Sequence, residues 1–233
     1  MGEYEKAKDF YEQAIEIATK AFGPDHVNIA TMYHNLGSVY FYMGEYQKAK
    51  DFFERAMKIQ KKTLGPDHVD IASTYSNLGS VYRDMGEYEK AKDFCERAMK
   101  IQRKTFGPDH VNIATMYNNL GLVYFYMGEY QKATDFYERA MKIQRKTLGP
   151  DHIDIASTYS NVGSLYNKIG EYEKAKDFYE RAMKIKTKAF GPDHVNIGTT
   201  YNHLGSVYSE MGEYEKAKDF YERAIEIETK RFG

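Results

Sequence analysis

Five copies of Gly-Pro-Asp-His, beginning at Gly23, Gly65, Gly107, Gly149 and Gly191, fall at a constant step of 42 residues. A second mark, Gly-Glu-Tyr at Gly2, Gly44, Gly86, Gly128, Gly170 and Gly212, keeps the same step. A fixed period of this size describes one supersecondary unit used over and over, and predicts a solenoid or array. The lattice accounts for every proline and for every glycine except Gly198. It divides the chain into a half repeat, 1–22, and five full repeats, 23–64, 65–106, 107–148, 149–190 and 191–232. Stacked units share one continuous core, so 1–233 is expected to be a single solenoid. Repeats one and three are more alike than neighbours are, as are two and four, which points to recent tandem duplication or a designed array.

Each repeat reads as two helices. Gly65 suits the positive-φ residue that ends a helix, Pro66 blocks continuation, and Asp67 is placed to cap the helix that follows. That first helix is expected over about His68 to Met85, with Ile71, Tyr75, Leu78, Val81 and Tyr82 on one side. Gly79 stands in its middle at a cost of about 1 kcal/mol against Ala, so close approach of the paired helix is expected there. Met85-Gly86-Glu87-Tyr88 turns the chain into a second helix, about Glu87 to Phe106. Ala91 and Ala98 are small enough for the same approach, and Phe94, Met99 and Ile101 supply bulk. Lys100, Arg103 and Lys104 suit the negative end of its dipole. Met1 to Phe22 reads as a second helix without its mate, with Tyr4, Ala7, Phe10, Tyr11, Ala14 and Ile15 on one face. A lone hairpin has two apolar sides and one mate, so neighbours must stack.

Composition narrows the function. There are 33 Lys and Arg against 34 Asp and Glu, interleaved, with a formal net charge of −1. This argues against nucleic acid or an anionic membrane held by bulk charge. No apolar run reaches the length of a bilayer span, and no secretory or transit segment is visible at Met1. The single cysteine, Cys95, excludes an intrachain disulfide and fits a reducing compartment, so a cytoplasmic location is expected.

Tyr33, Leu36, Gly37, Tyr40, Gly44, Tyr46, Ala49, Phe53 and Ala56 match, in order and spacing, the signature of the tetratricopeptide repeat. The set recurs at Tyr75, Leu78, Gly79, Tyr82, Gly86, Tyr88, Ala91 and Ala98 and onward. The period departs from the usual 34 residues of that family, and Lys61 stands where a proline normally ends the second helix. The 42-residue unit with its Gly-Pro-Asp-His junction resembles the arrays of kinesin light chains. The heptad coiled coil of light chains has no counterpart here, and no role in transport is inferred. The resemblance implies an all-α fold, a right-handed superhelical solenoid of antiparallel helix pairs with eleven helices. It also implies a non-catalytic scaffold whose first helices line a concave groove for a peptide or protein partner. Carried over residue by residue, the groove positions include His34, Asn35, Phe41 and Tyr42 in repeat one and Asn77 and Arg83 in repeat two. Repeat three supplies Asn118, Asn119, Phe125 and Tyr126, repeat four Asn161 and repeat five Asn202.

Among these, Asn35, Asn77, Asn119 and Asn161 recur once per repeat, and the ladder breaks at His203. An amide donates and accepts together and can pair with any peptide bond; in related arrays the matching Asn holds ligand backbone. The alternative is that each Asn satisfies a neighbouring helix or water. Phe41, Tyr42, Phe125 and Tyr126 are either anchors on the groove rim or packing against the next repeat. The basic clamp used by some tetratricopeptide domains for a terminal carboxylate is absent, with Arg83 and Lys168 the only groove cations, so a strongly acidic peptide is not favoured. His26, His68, His110, His152 and His194 lie one per repeat, about 10 Å apart on helix-packing geometry, whereas zinc ligands lie about 2 Å from one ion. Capping or turn packing is their expected role, and no metal or cofactor is expected. Cys95 replaces an aromatic residue and is expected to be a packing residue. No phosphate loop, nucleophile elbow or metalloprotease motif is present, and no enzyme activity is expected. The rival function is self-assembly, through the nearly identical terminal helices pairing head to tail or as a homodimer.

Overall fold

The computed structural model describes residues 2–232. Among them are eleven α-helices and no strand. The half repeat is α1 (Gly2–Phe22). The first helices of the repeats are α2 (Val27–Tyr42), α4 (Val69–Asp84), α6 (Val111–Tyr126), α8 (Ile153–Lys168) and α10 (Val195–Glu210). The second helices are α3 (Tyr46–Leu64), α5 (Tyr88–Phe106), α7 (Tyr130–Leu148), α9 (Tyr172–Phe190) and α11 (Tyr214–Phe232). The chain forms two compact units, one running to Met127 and one starting at Gly128. The division falls in the turn inside repeat three.

In the first unit α2 pairs with α3 and α4 with α5, while α1 packs on α2, α3 on α4 and α5 on α6. First helices also touch one another, α2 with α4 and α4 with α6, whereas the second helices α1, α3 and α5 do not. The first helices therefore form one wall of this unit. The second unit repeats the pattern, with hairpins α8–α9 and α10–α11, α7 packed on α8, α9 on α10, and α8 touching α10.

The core shows why one hairpin is not enough. Ile71, Ala72 and Tyr75 of α4 meet Ala98 and Ile101 of α5, and Met116 of α6 closes the cluster from the next repeat. Each large aliphatic side chain here, Ile71, Ile101 or Met116, contributes about 1.5–3 kcal/mol when buried, and part of that burial exists only when a neighbour is present. In the second unit Ala175, Tyr179, Leu204, Val207, Tyr208 and Ala217 unite α9, α10 and α11 in the same way.

Two kinds of glycine hold the lattice. Gly65 ends α3 at φ 88°, ψ 159°. Its φ is positive, as the sequence predicts, but its ψ is extended rather than left-handed helical, a region open essentially to glycine alone. Gly79 is helical and serves contact. A Cβ built there would lie 2.6 Å from Cys95 Sγ and 3.3 Å from the Ala91 carbonyl oxygen. The matching glycines press on an aromatic ring: Phe53 lies 3.0 Å from a Cβ at Gly37, and Tyr179 lies 2.8 Å from one at Gly163.

The helix starts differ from expectation in one respect. Asp67 does not cap α4. His68 is the N-cap residue, and its Nδ1 accepts from the Asp70 backbone N–H at 3.2 Å. His26, His110, His152 and His194 do the same for α2, α6, α8 and α10, at 3.2–3.3 Å. The aspartates instead reach the far end of the second helix in their own repeat: Asp67 pairs with Lys104 at 2.9 Å, Asp151 with Lys188 at 2.9 Å, and Asp25 with Lys62.

Candidate groove and the polar seams behind it

The residues singled out above lie on the first helices of the two units. His34, Asn35 and Phe41 on α2, Asn77 and Arg83 on α4, and Asn118, Asn119 and Phe125 on α6 are half-buried, as are Asn161 on α8 and Asn202 on α10. Tyr42 and Tyr126 stand well out, at 68% and 52% exposed. Phe41, Tyr42 and Asn77 are brought together with Ser38, Phe53 and Ser80 around a cavity of about 160 Å³. A second cavity, about 250 Å³, opens between α4, α5 and α6 and is lined by Ser73, Ser76, Asn77, Gln102, Asn112, Thr115 and Met116.

The asparagines are tied to the wall itself. Asn77 Nδ2 lies 3.1 Å from His34 Nε2, and Asn119 Nδ2 donates to Ser76 Oγ at 3.1 Å. In both cases the amide reaches back 43 residues to the preceding repeat. The remainder of each amide, Oδ1 and a second N–H, makes no hydrogen bond among the described residues. One N–H of each amide thus fixes its side chain on a neighbouring helix.

Behind Asn77 runs a polar chain that the sequence reading missed. Thr74 Oγ1 donates to Gln60 Oε1 at 2.9 Å, and both residues are buried. With its hydrogen spent, Thr74 Oγ1 must accept from His34 Nδ1, 3.0 Å away. His34 Nε2 then carries the lone pair that accepts from Asn77. Burial pushes the His34 imidazole below its ordinary pKa, with the Asp70 carboxylate opposing. The second unit has the same joint, Thr158 Oγ1 to Gln144 Oε1 at 2.9 Å. A buried glutamine at one fixed lattice position, Gln60, Gln102 and Gln144, was the available signal.

The aromatic pairs serve packing at least in part. Tyr42 stacks on Tyr4 with centroids 6.0 Å apart, and Tyr126 on Tyr88 at 6.1 Å. Each pair joins a first helix to the second helix of the preceding repeat or half repeat. Phe41 and Phe125 set their rings edge-on to Tyr42 and Tyr126. Arg83 is bound to Asp84 at 2.7 Å, so the groove cation of repeat two is neutralised in place.

A tetratricopeptide repeat profile matches residues 1–62, 28–94, 70–146, 112–188 and 154–230, overlapping windows that together span nearly the whole chain. The chain belongs to the tetratricopeptide repeat family. Solved tetratricopeptide-like structures agree in fold. BtubC (BKLC) from P. vanneervenii superposes with a TM-score of 0.74 at 24% identity, over 99% of this chain and 91% of that one. A kinesin-light-chain-like protein of Podosopora anserina, made of nearly identical TPR-like repeats, gives 0.67 at 24% identity, over 88% and 98%. MamA gives 0.53 at 24%, over 84% and 96%. At this identity the likeness is one of fold. No curated protein sequence matches the chain. Tetratricopeptide arrays are generally non-catalytic protein-interaction scaffolds. Among the described residues no group of three or more His, Cys, Asp or Glu is placed to hold a metal, and no helix is long and apolar enough to cross a membrane.

Proposed function

We propose that this tetratricopeptide array is a non-catalytic cytoplasmic scaffold that holds an extended peptide, or one helix of a partner protein, against its first helices. The observation that carries the reading is the state of Asn77 and Asn119. Each is fixed by one N–H to the preceding repeat and keeps a carbonyl and an N–H for a ligand. A side chain held in place by its own fold loses less freedom on binding than a loose one. The peptide's main chain supplies the matching donors and acceptors, so the ladder reads backbone rather than sequence. Phe41, Tyr42, Phe125 and Tyr126 flank the ladder as apolar contacts, and His34, Asn35, Asn118, Asn161, Asn202 and Arg83 complete the lining. The test uses peptides selected from a displayed random library on the whole protein. Asn77→Ala with Asn119→Ala is expected to weaken the selected peptides about tenfold or more, as for two lost hydrogen bonds, with helical content unchanged. Undiminished affinity in a correctly folded double variant would sink the reading.

A second reading has its own observation. Phe10, Ile17 and Phe22 on α1 are 72%, 69% and 61% exposed, and Tyr214 and Ile225 on α11 are 70% and 61% exposed. Apolar side chains gathered on terminal helices suit association with a second copy. Light scattering over a concentration series tests it. A constant monomer mass at high concentration excludes it.

A further inference from the structure

At one seam the lattice breaks its own rule. The position that is Gln60, Gln102 and Gln144 in earlier repeats is Lys186 in α9, and the Asn-ladder position of the next helix is His203. Lys186 Nζ donates to Thr200 Oγ1 at 2.9 Å and lies 3.4 Å from Ser160 Oγ. These contacts join α9 to α10 and α8, all within the second unit. No carboxylate lies within ion-pair distance of Lys186 among the described residues.

The exchange changes the chemistry of the seam. At Gln60 and Gln144 the Oε1 accepts the hydroxyl hydrogen of Thr74 and Thr158, and at Gln102, where Met116 stands in place of the threonine, it accepts from Asn112 Nδ2 at 3.2 Å. An ammonium has three donors and no acceptor. Thr200 Oγ1 accepts from it, which leaves the Thr200 hydroxyl hydrogen without its usual acceptor. Lys186 keeps a third N–H. His203 Nδ1 is buried and has no hydrogen-bond partner, while its ring is held 4.9 Å from that of Tyr179. In its Nδ1–H tautomer it is one more donor. Ser160 Oγ spends its own hydrogen on the Ala156 carbonyl at 3.0 Å. Burial disfavours the charge on Lys186, and that charge in turn adds to the burial that disfavours protonation of His203. The seam therefore gathers donors around one positive charge that has no carboxylate paired to it among the described residues. The seam at the same lattice position in the first unit, between α4, α5 and α6, has Gln102 in the lysine's place and Met116 in the threonine's, and opens as the cavity of about 250 Å³ described above.

We propose that the Lys186–Thr200–His203 seam binds one oxyanion group, the carboxylate or phosphoryl group of a ligand that lies across α8 and α10. An oxyanion accepts from the remaining Lys186 N–H, the Thr200 hydroxyl and a His203 Nδ1–H, and charge-assisted hydrogen bonds of this kind are about twice as strong as neutral ones. The inference rests on the proposed groove in one respect: a bound peptide would present that group as an acidic or phosphorylated side chain. Its test does not need the peptide.

The whole protein is titrated with sodium acetate, and separately with inorganic phosphate, at constant ionic strength. The His203 ring and the Lys186 side chain are followed by NMR. Saturable shifts at both residues are expected, and Lys186→Gln, which restores the residue of the other repeats, is expected to reduce affinity about tenfold or more. Saturation by acetate assigns a carboxylate; saturation by phosphate alone assigns a phosphoryl group. Shifts that rise without saturating, or that saturate equally in a folded Lys186→Gln protein, overturn the site. Such a result would leave the groove reading standing. Unchanged peptide affinity in the Asn77/Asn119 variant, with anion saturation intact, would remove the groove reading alone.

Discussion

Asn77 Nδ2 lies 3.1 Å from His34 Nε2, so the ladder residue of repeat two rests on an imidazole of repeat one. The contact requires a neutral ring, since protonation would place two N–H donors face to face. Burial already holds the His34 pKa below its ordinary value. A depressed histidine pKa means that the fold favours the neutral form. Its contribution is complete above the unfolded value, about 6.5, and is lost as pH falls through the folded one. Ser76 plays the part of His34 for Asn119 without titrating. His34→Ser is therefore expected to keep the contact and flatten part of the acid-side loss of stability. Melting temperatures of both proteins at neutral and mildly acidic pH check this, and equal pH dependence would exclude the role.

Two of the helical glycines, Gly79 and Gly198, should respond in opposite directions. Gly79→Ala drives a Cβ to within 2.6 Å of Cys95 Sγ. Overpacking costs about 1–3 kcal/mol against roughly 1 kcal/mol of helix propensity gained, so a net loss on the order of 1 kcal/mol is expected. Cys95→Ala removes the clashing sulfur, and the double variant should cost less than the sum of the singles. At Gly198 the nearest atom to an added Cβ is Ile227 Cγ2 at 3.6 Å, an ordinary contact. Gly198→Ala is expected to stabilise by up to about 1 kcal/mol. Denaturant titrations of the four variants read both signs.

Helix capping gives a contrast between neighbours. His68→Ala removes the side-chain acceptor from the start of α4 and is expected to cost about 1 kcal/mol, as for other N-cap losses. Asp67→Ala removes only an ion pair whose partners are 66% and 71% exposed, and surface pairs of this kind contribute little. A thermal melt that drops for Asp67→Ala and not for His68→Ala would reverse the assignment.

Cys95 should be chemically silent in the folded protein. It is 1% exposed, and burial pushes its thiol up to about 12. The thiolate, which is the reactive form, is then almost absent at neutral pH. A disulfide exchange reagent is expected to label it only on unfolding, at a rate that follows denaturant. Rapid labelling of native protein would contradict this.

Much of the fold was legible because the signals are local and repeated. Gly65-Pro66 stops one helix and starts another by backbone sterics alone. The spacing of Ile71, Tyr75, Leu78 and Val81 sets a buried face whatever it packs against. Gly79 announced a close approach through its cost. The cap was misjudged by one residue, because Asp67 and His68 both carry acceptors and the turn geometry selects between them. Asn77 and His34 were legible as positions on their first helices but not as bonding partners. Nothing in the spacing of Asn77 and His34 within their own helices says that they meet.

The sequence by itself determined the repeat, the eleven helices and the side each buries, since these follow from φ restrictions and a 3.6-residue period. Only the tertiary structure decided which atoms meet across the seams: Asn77 on His34, Asn119 on Ser76, Lys186 between Thr200 and Ser160. Those contacts join residues 14 to 43 positions apart on different helices. They arise when helices stack, so the tautomer of His34 and the unsatisfied donors beside Lys186 are properties of the packed array rather than of any one repeat.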